Sequence, residues 1–315
     1  MKKLTALLMT LCIMAGFCAC GTEDQVSTAP TTGNHTTEAS RNTDTDVTTP
    51  DSTEEAATPS EVTEPFSESL EYTLSGDTYC VSSIGSCTDS VVIIPELYNG
   101  LPVTAISEDV FRNNASITEI TIPGTVKTIE HYAFENCTAL SKVTLGKGVR
   151  TIGGAAFQGC TALTEISLPE SLSYIQYSAF KYCTSLKNVS MVGVLEIGET
   201  AFAGCTALEE ITIPGTASTL GNGIFSGCSA LSSIVLSEGI ETIGYSAFEN
   251  CGLTSLTVPS TVKKLGNNCF SGCRNLGEIH FNGTMAQWKS IKKGNGMYLD
   301  CGTTGAICTD GSTAY

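Results

Sequence analysis

Apolar side chains return along this chain with a period of 22 or 23 residues. The period is marked by eight phenylalanines, Phe111, Phe134, Phe157, Phe180, Phe202, Phe225, Phe248 and Phe270. A repeat of this length is typical of a solenoid, in which each unit buries its apolar face only by stacking on the next unit. The pattern therefore predicts a single elongated domain built from stacked coils.

Within one unit the hydrophobic pattern changes its period. Residues 120–122 alternate apolar, polar and apolar, which predicts a short strand with both isoleucines pointing inward. Pro123 ends that strand, because its nitrogen cannot donate to a ladder. Residues 133–140 carry apolar side chains three positions apart, which favours a helical or 3₁₀ turn. We therefore expect about eight coils of 22–23 residues, with short parallel strands stacked into one sheet and helical or 3₁₀ turns opposite.

The unit has the form V-x-x-I-G followed by A-F-x-x-C-x-x-L, as residues 149–163 show. Over residues 90–282 this pattern resembles the bacterial leucine-rich repeat named for BspA and for Treponema surface antigens. Residues 281–288 and 307–311 also resemble the closing segment common in that family. The resemblance implies a leucine-rich repeat solenoid on a surface or secreted protein with an adhesin-like role, and it transfers no catalytic activity.

The same comparison predicts how the chain is divided. We expect an N-terminal cap and first turn at 70–100, leucine-rich repeats at 101–282 and a C-terminal cap at 283–315. Residues 21–69 are rich in Thr, Ser, Pro and acidic residues, with almost no large apolar side chain. Such a segment cannot bury enough surface to offset its ordering entropy, so it is predicted to be a disordered linker.

The first 20 residues predict an export signal. Lys2 and Lys3 precede a short apolar run, which is the arrangement of a secretory signal peptide. The ending at Ala19 and Cys20 resembles a bacterial lipobox, which implies cleavage before Cys20 and its lipidation. An ordinary secreted protein, cut elsewhere, is the alternative. A lipid on Cys20 predicts that the protein lies on the extracellular face of a bacterial cell membrane.

The formal net charge is −16, and residues 21–69 carry eleven acidic residues against one arginine. Binding of nucleic acid rests on Lys and Arg that neutralise phosphates, so the charge argues against such a partner. It also disfavours docking on anionic lipid head groups. We therefore expect membrane contact through the lipid anchor only, and a monomeric protein.

Seven of the fifteen cysteines share one slot in successive units: Cys137, Cys160, Cys183, Cys205, Cys228, Cys251 and Cys273. We interpret this column as buried free thiols that act as small hydrophobic side chains, with a disulfide stack or a metal ladder as alternatives. Cys80 with Cys87, and Cys301 with Cys308, are candidate disulfides that would close the two ends of the solenoid. Reduced thiols are the alternative for both pairs.

No catalytic arrangement is visible in the sequence. His35, His131 and His280 have no Ser, Cys or Asp neighbours in the spacing of a catalytic triad. Gly153 and Gly154 lack the Lys-Ser/Thr pair of a phosphate-binding loop. We therefore expect a protein that is not an enzyme and that uses neither a cofactor nor a metal.

The outward positions of the predicted strands form a row of hydroxyl groups edged by charged and amide side chains. We predict that this sheet face contacts a ligand through Glu119, Thr121, Lys142, Thr144, Glu165, Ser167, Asn188, Ser190, Glu210 and Thr212. A simply hydrated face is one alternative, since Thr and Ser are tolerated in strands. Contact through the turn tyrosines Tyr132, Tyr174, Tyr177 and Tyr245 is another.

Together these features predict a surface-anchored leucine-rich repeat lipoprotein that binds a host or bacterial surface protein or glycan, as an adhesin does. The competing hypothesis is a structural envelope protein that has no specific ligand. A deletion strain with an altered envelope but unchanged adhesion would favour the structural hypothesis.

Overall fold

The computed structural model describes residues 66–303, 305–311 and 313–314. The predicted signal peptide, the predicted lipidation site Cys20 and the predicted linker up to residue 65 lie outside the described residues. Ser67, which the sequence pattern assigns to the linker, is buried in the folded unit. Its amide donates to the Ile93 carbonyl over 2.9 Å, and its hydroxyl accepts from the Ile93 amide over 3.1 Å.

The described part of the chain contains 23 short strands and one helix, α1 (Met285–Ser290). The strands are β1 (Glu71–Ser75), β2 (Thr78–Ser83), β3 (Val91–Ile93), β4 (Leu97–Tyr98), β5 (Leu101–Ile106), β6 (Glu119–Ile122), β7 (Thr128–Ile129), β8 (Lys142–Leu145), β9 (Thr151–Ile152), β10 (Glu165–Ser167), β11 (Tyr174–Ile175), β12 (Asn188–Ser190), β13 (Glu196–Ile197), β14 (Glu210–Ile213), β15 (Thr219–Leu220), β16 (Ser233–Leu236), β17 (Thr242–Ile243), β18 (Ser255–Val258), β19 (Lys264–Leu265), β20 (Glu278–Phe281), β21 (Lys292–Lys293), β22 (Ala306–Cys308) and β23 (Thr313–Ala314). No helix in this part is long and apolar enough to cross a membrane.

The strands stack in two columns, and each turn of the solenoid contributes one strand to each. Column A consists of β3, β6, β8, β10, β12, β14, β16, β18, β20 and β22, and column B of β2, β5, β7, β9, β11, β13, β15, β17, β19 and β21. Hydrogen-bonded neighbours within each column are parallel. The predicted solenoid of stacked parallel strands is confirmed, with about ten turns instead of about eight, because both caps add a turn.

Column A contains the strands that the alternating pattern predicts, and it is divided into four ladders. Column B is one continuous ladder from the N-terminal to the C-terminal cap. Its strands within the repeats are two residues long, as in β7 and β9, where one residue points inward and the other outward. Two residues show no visible alternation, so the sequence pattern does not reveal this second column.

The Phe-containing segment of each turn, which we call the arc, contains isolated 3₁₀-type turns, as predicted, but no continuous helix. In one arc the Glu135 amide donates to the Tyr132 carbonyl over 2.9 Å, and the Cys137 amide donates to the Phe134 carbonyl over 3.1 Å. In the same arc the amides of Tyr132, Phe134 and Asn136 donate to carbonyls of the next turn over 2.7–3.0 Å. Tyr132 and Asn136 have φ near +57°, so the backbone alternates between right- and left-handed conformations. Alternate amides therefore point along the stacking direction, and the arc is held by bonds between turns instead of the i→i−4 bonds of a helix.

The phenylalanine column lies inside the solenoid, as the period predicts. All eight rings are fully buried. Neighbouring ring centroids are 4.9–5.9 Å apart, and the ring planes lie within 12° of one another. These are offset-stacked contacts, which add stabilisation beyond the burial of apolar area.

The column of seven cysteines lies beside the phenylalanines as buried free thiols, as predicted. Each thiol also makes a hydrogen bond that the sequence pattern did not suggest. Cys183 Sγ donates to the Phe157 carbonyl of the preceding turn over 3.1 Å, and the other six thiols repeat this contact over 2.9–3.2 Å. A thiol in this slot thus links successive turns while remaining small and apolar.

The buried thiols predict a loss of stability in alkali. Burial raises the pKa of Cys137, Cys228 and Cys273 from 9.0 to about 12. Between these values the unfolded chain binds fewer protons than the folded one, so the free energy of unfolding falls as the pH rises above 9. We expect a loss of about 1 kcal/mol per buried thiol between pH 7 and pH 10.

Urea unfolding in the presence of reductant at the two pH values measures this loss. A variant in which Cys137, Cys228 and Cys273 are replaced by alanine is the control, and its stability should change less. If the free energy of unfolding depended equally on pH in the two proteins, the buried thiols would not be the cause of the loss.

A hairpin closes the N-terminal end. Strands β1 and β2 pair antiparallel, and β2 continues column B in parallel with β5. The insertion seen in the sequence near residues 96–100 forms a second hairpin, in which β4 pairs with the start of β5. Asn99 and Gly100 form its turn with φ of +50° and +78°, as the Asn-Gly dipeptide favours.

Helix α1 closes the C-terminal end. Its N-cap is Thr284, which forms a capping box with Gln287. Trp288 is buried and packs on Phe281, with ring centroids 5.2 Å apart. Strands β22 and β23 then pair antiparallel beyond β20, so the last column A strand is also covered.

The four cap cysteines are free thiols in this structure. Cys80 lies in β2, where its Sγ donates to the Thr73 carbonyl over 3.5 Å. Cys87 packs partly buried against the core. Cys301 occupies the arc position that corresponds to the cysteine column, and Cys308 ends β22. The two proposed disulfides stay predictions.

Candidate functional site

The ten residues predicted to contact a ligand all lie on the outer side of column A. Nine of them are exposed and Glu119 is half-buried, while the residues between them point into the core. The registers Glu119–Lys142, Thr121–Thr144 and Ser167–Ser190 place like positions side by side. Part of this face is a shallow concavity of about 350 Å³ that includes Asn188, Ser190, Glu210 and Thr212.

Column B carries a larger groove, on the face that the sequence pattern does not reveal. Its volume is about 790 Å³, and it runs across the turns from β13 to β21. The outward residue of each strand forms its floor: Glu196, Thr219, Thr242, Lys264 and Lys292. These residues come from sequence positions almost 100 residues apart, and the parallel ladder brings them into one row.

A glycine directly follows each of the column B strands β15, β17 and β19, and it allows neighbouring turns to approach closely. A Cβ atom on Gly221, Gly244 or Gly266 would lie 2.4–2.8 Å from backbone atoms of the preceding turn. Real Cβ atoms do not approach other atoms this closely, so only glycine fits. The glycines therefore permit close packing of successive turns along the groove.

The charges of the groove are separated along its length. Glu196 and Glu199 lie at one end, and Lys264 and Lys292 at the other. Within the described part of the chain, neither of these two lysines forms an ion pair. Other lysines do have partners: Lys142 pairs with Glu119 on column A, and Lys263 pairs with Glu241. This end of the groove thus holds Lys264 and Lys292 without an ion partner among the described residues, beside Lys293, whose ammonium group donates to the Trp288 carbonyl.

Tyrosines line the arc side of the same face. Tyr132 and Tyr177 come together through a hydroxyl–hydroxyl contact of 3.3 Å, although they are 45 residues apart. Tyr245 borders the groove, and Tyr174 is exposed on β11. Tyrosines of three different turns thus face solvent along this edge of column B.

The described residues hold no group of three or more His, Cys, Asp or Glu side chains that could bind a metal ion. His280 lies on column A with its Nε2 atom 2.9 Å from Glu278 Oε2, and both side chains are exposed. His131 accepts a hydrogen bond from the Gly154 amide at Nδ1 over 3.1 Å. His35 lies outside the described residues. Neither of the two described histidines forms a hydrogen bond with a Ser or Cys side chain.

This architecture defines a class of protein, the leucine-rich repeat solenoids. The model of the BspA type leucine rich repeat region, in six copies, matches residues 104–205 and 195–294. These ranges cover more than half of the chain, and the chain belongs to this family. No curated protein sequence gives a significant match. Repeats of this family and fold are typically non-enzymatic.

Three solved structures are similar to this chain. A leucine-rich repeat protein from Bacteroides ovatus is 26% identical with a TM-score of 0.56, covering 76% of this chain and 70% of that one. The leucine-rich repeat protein of T. pallidum is 25% identical with a TM-score of 0.54, covering 72% and 96%. A leucine-rich cell surface protein from Faecalibacterium prausnitzii is 25% identical with a TM-score of 0.51, covering 79% and 60%. The last of these proteins is described as a cell surface protein.

Proposed function

We propose that this protein is displayed on the outside of a bacterial cell as a lipid-anchored, non-catalytic binding module. The features that support the anchor are the predicted signal peptide, the lipobox-like ending at Cys20 and the acidic linker of residues 21–69. The family and its cell surface neighbour support the location. The linker would hold the repeat domain away from the membrane, where a partner on another surface can reach it.

We further propose that the ligand lies along the column B groove and not on the column A face. The separation of charge in the groove is the observation that carries this proposal. Stacked strands are about 4.8 Å apart, so Glu196 lies about 14 Å from the position of Lys264 and about 19 Å from that of Lys292. An extended polypeptide rises about 3.3 Å per residue, so four to six residues span this distance.

The ligand that fits such a groove is an extended segment of a surface protein, with a basic group toward Glu196 and an acidic group toward Lys264 and Lys292. Complementary charges fix the direction of binding and raise the association rate. The threonine hydroxyls of the floor, at Thr219 and Thr242, donate and accept hydrogen bonds without requiring one sequence. Column A offers less charge to a ligand in its first turns, because Glu119 and Lys142 already neutralise each other over 3.1 Å.

Charge reversal tests this proposal. The variant Lys264→Glu/Lys292→Glu should bind at least about ten-fold more weakly, a loss of about 1.4 kcal/mol. The matched control is Lys142→Glu/Lys187→Glu, which makes the same change in net charge with two lysines of the column A side. Binding of the full-length chain to a panel of host extracellular proteins and bacterial surface proteins is measured at two salt concentrations.

Equal binding by the wild type and the groove variant, with loss in the control, would place the ligand on column A. Absence of any ligand across the panel would favour a structural envelope role.

A further inference from the structure

Tyr177 is held on the surface of the solenoid by a glycine and by two polar side chains. Its ring lies directly over Gly154 of the preceding turn, where an added Cβ would be 2.4 Å from ring atoms Cε1 and Cζ. One face of the ring therefore covers backbone, and the side chain remains 44% exposed. The glycine provides a flat seat that any other residue would fill.

The hydroxyl group of Tyr177 is fixed from two sides. It contacts the Tyr132 hydroxyl over 3.3 Å and His131 Nδ1 over 3.4 Å. The rings of His131 and Tyr177 are stacked at 5.7 Å, with an angle of 29° between their planes. The hydrogen bond with Tyr132, and then burial, raise the pKa of Tyr177 to about 12, so this hydroxyl stays protonated.

Tyr132 is itself held by a charged neighbour. The Arg112 guanidinium lies 5.0 Å from the centre of the Tyr132 ring, and it pairs with Asp109 over 3.0 Å and with Glu135 over 2.6 Å. We call the set formed by His131, Tyr132, Gly154 and Tyr177 the aromatic platform. Its side chains are ordered by contacts that come from three successive turns.

The platform is not needed to join these turns. The backbone already does so, since the Tyr132 amide donates to the Gly154 carbonyl over 3.0 Å and the Ala155 amide donates to the Tyr177 carbonyl over 2.8 Å. The core beneath is closed by the phenylalanine column. A rigid aromatic ring that faces water and covers no core has already lost the rotamer freedom that a ligand would otherwise have to remove.

We propose that the aromatic platform binds a neutral saccharide, at a site separate from the column B groove. The electron-rich face of the Tyr177 ring attracts the polarised C–H groups on one face of a pyranose ring. Gln176 lies at the rim of the platform, where its Oε1 accepts from the Gly154 amide over 3.2 Å and its NH₂ group remains a donor for a sugar hydroxyl.

The surrounding charges select a neutral ligand. The carboxyl group of Glu108 acts electrostatically on Tyr177, and that of Glu130 acts on His131, so both would repel an anionic sugar. The one nearby guanidinium, that of Arg112, is already paired with two carboxylates. A protein hot spot would instead require a desolvated pocket around the ring, whereas Tyr177 lies flat on an open surface.

Ligand-observed NMR on the full-length chain tests the proposal, with neutral hexasaccharides of glucose, galactose, mannose and N-acetylglucosamine as probes. At least one probe should show saturation transfer, and Tyr177→Ala should weaken its binding by about ten-fold or more. Tyr177→Phe keeps the ring but loses the hydroxyl contacts, so its binding should weaken by only a few fold. Tyr182→Ala is the matched control, because the Tyr182 ring also lies against a glycine, Gly204, and is 53% exposed, but it stands apart from His131 and Tyr132. Sugar binding by this variant should be unchanged.

Urea midpoints of all variants show whether each remains folded. The absence of saturation transfer from all four sugars would overturn the proposal, as would equal losses in Tyr177→Ala and Tyr182→Ala. Loss of a protein ligand in Tyr177→Ala, with no sugar bound by the wild type, would assign the platform to protein contact and also overturn it. The Lys264→Glu/Lys292→Glu variant should still bind the sugar, so this test is independent of the groove.

Discussion

Replacing Phe180 by alanine is expected to lower the free energy of unfolding by about 3–5 kcal/mol. The ring is completely buried and stacks on Phe157 at 5.5 Å and on Phe202 at 5.3 Å. Its removal leaves a cavity in the middle of the column and breaks two stacking contacts at once. In a solenoid each turn is stabilised only by its neighbours, so no distant contact compensates for the loss.

Urea unfolding followed by circular dichroism measures this change. Phe66→Ala is the control, because the Phe66 side chain is 42% exposed at the start of the folded unit. Its substitution should cost less than about 1 kcal/mol. Equal losses in the two variants would show that the phenylalanine column does not hold the turns together.

Replacing Gly266 by alanine is expected to cost about 1–3 kcal/mol through overpacking. The new Cβ would lie 2.4 Å from the Gly244 carbonyl carbon and 2.4 Å from the Tyr245 amide nitrogen. Both are backbone atoms, which cannot rotate away as a flexible side chain does. The two turns must therefore separate at the floor of the groove.

The matched control is Gly277→Ala, where the nearest atom to an added Cβ is the Thr254 carbonyl oxygen at 3.8 Å. That variant should be neutral or slightly more stable, because alanine restricts the unfolded chain. Thermal unfolding of the two variants distinguishes the effect of close approach from the general effect of replacing glycine. A Gly266→Ala protein as stable as the wild type would contradict the close packing of column B.

The interior of this fold is predictable from the sequence because its period is strict. Each 22- or 23-residue step returns an aliphatic side chain, a phenylalanine and, from the second unit on, a cysteine to the same place, and these positions are buried. The strands of column A follow from their alternation. The spacing by three residues correctly predicted 3₁₀-type turns in the arcs, whereas the helical alternative was wrong, because alternate amides bond to the next turn.

A signal for the true arc conformation was present. The residue two positions after each phenylalanine is Asn or Gly in seven of eight units, and all eight have positive φ: Asn113, Asn136, Gly159, Tyr182, Gly204, Gly227, Asn250 and Gly272. Asn and Gly are the residues that adopt this left-handed region most readily. Their recurrence indicates a left-handed residue in every turn, which a helix does not contain.

The sequence named Tyr132 and Tyr177 as an alternative contact site, but it revealed neither the groove nor the geometry of the platform. The separation of Glu196 from Lys264 and Lys292 appears only when column B is known to exist. The platform requires the absence of a side chain at Gly154, which lets Tyr177 reach back to Tyr132. Both sites consist of outward side chains that differ from turn to turn. The repeat pattern predicts the inward side chains, because only these recur in every turn.

Photo-crosslinking on intact cells tests the location of the ligand most directly. A benzophenone amino acid replaces Thr219, on the floor of the groove, or Thr144, on the outer face of column A, in the full-length displayed chain. We predict that irradiation in contact with partner cells yields a crosslinked protein from position 219 and none from position 144. Crosslinks from position 144 alone would contradict the account and place the ligand on column A.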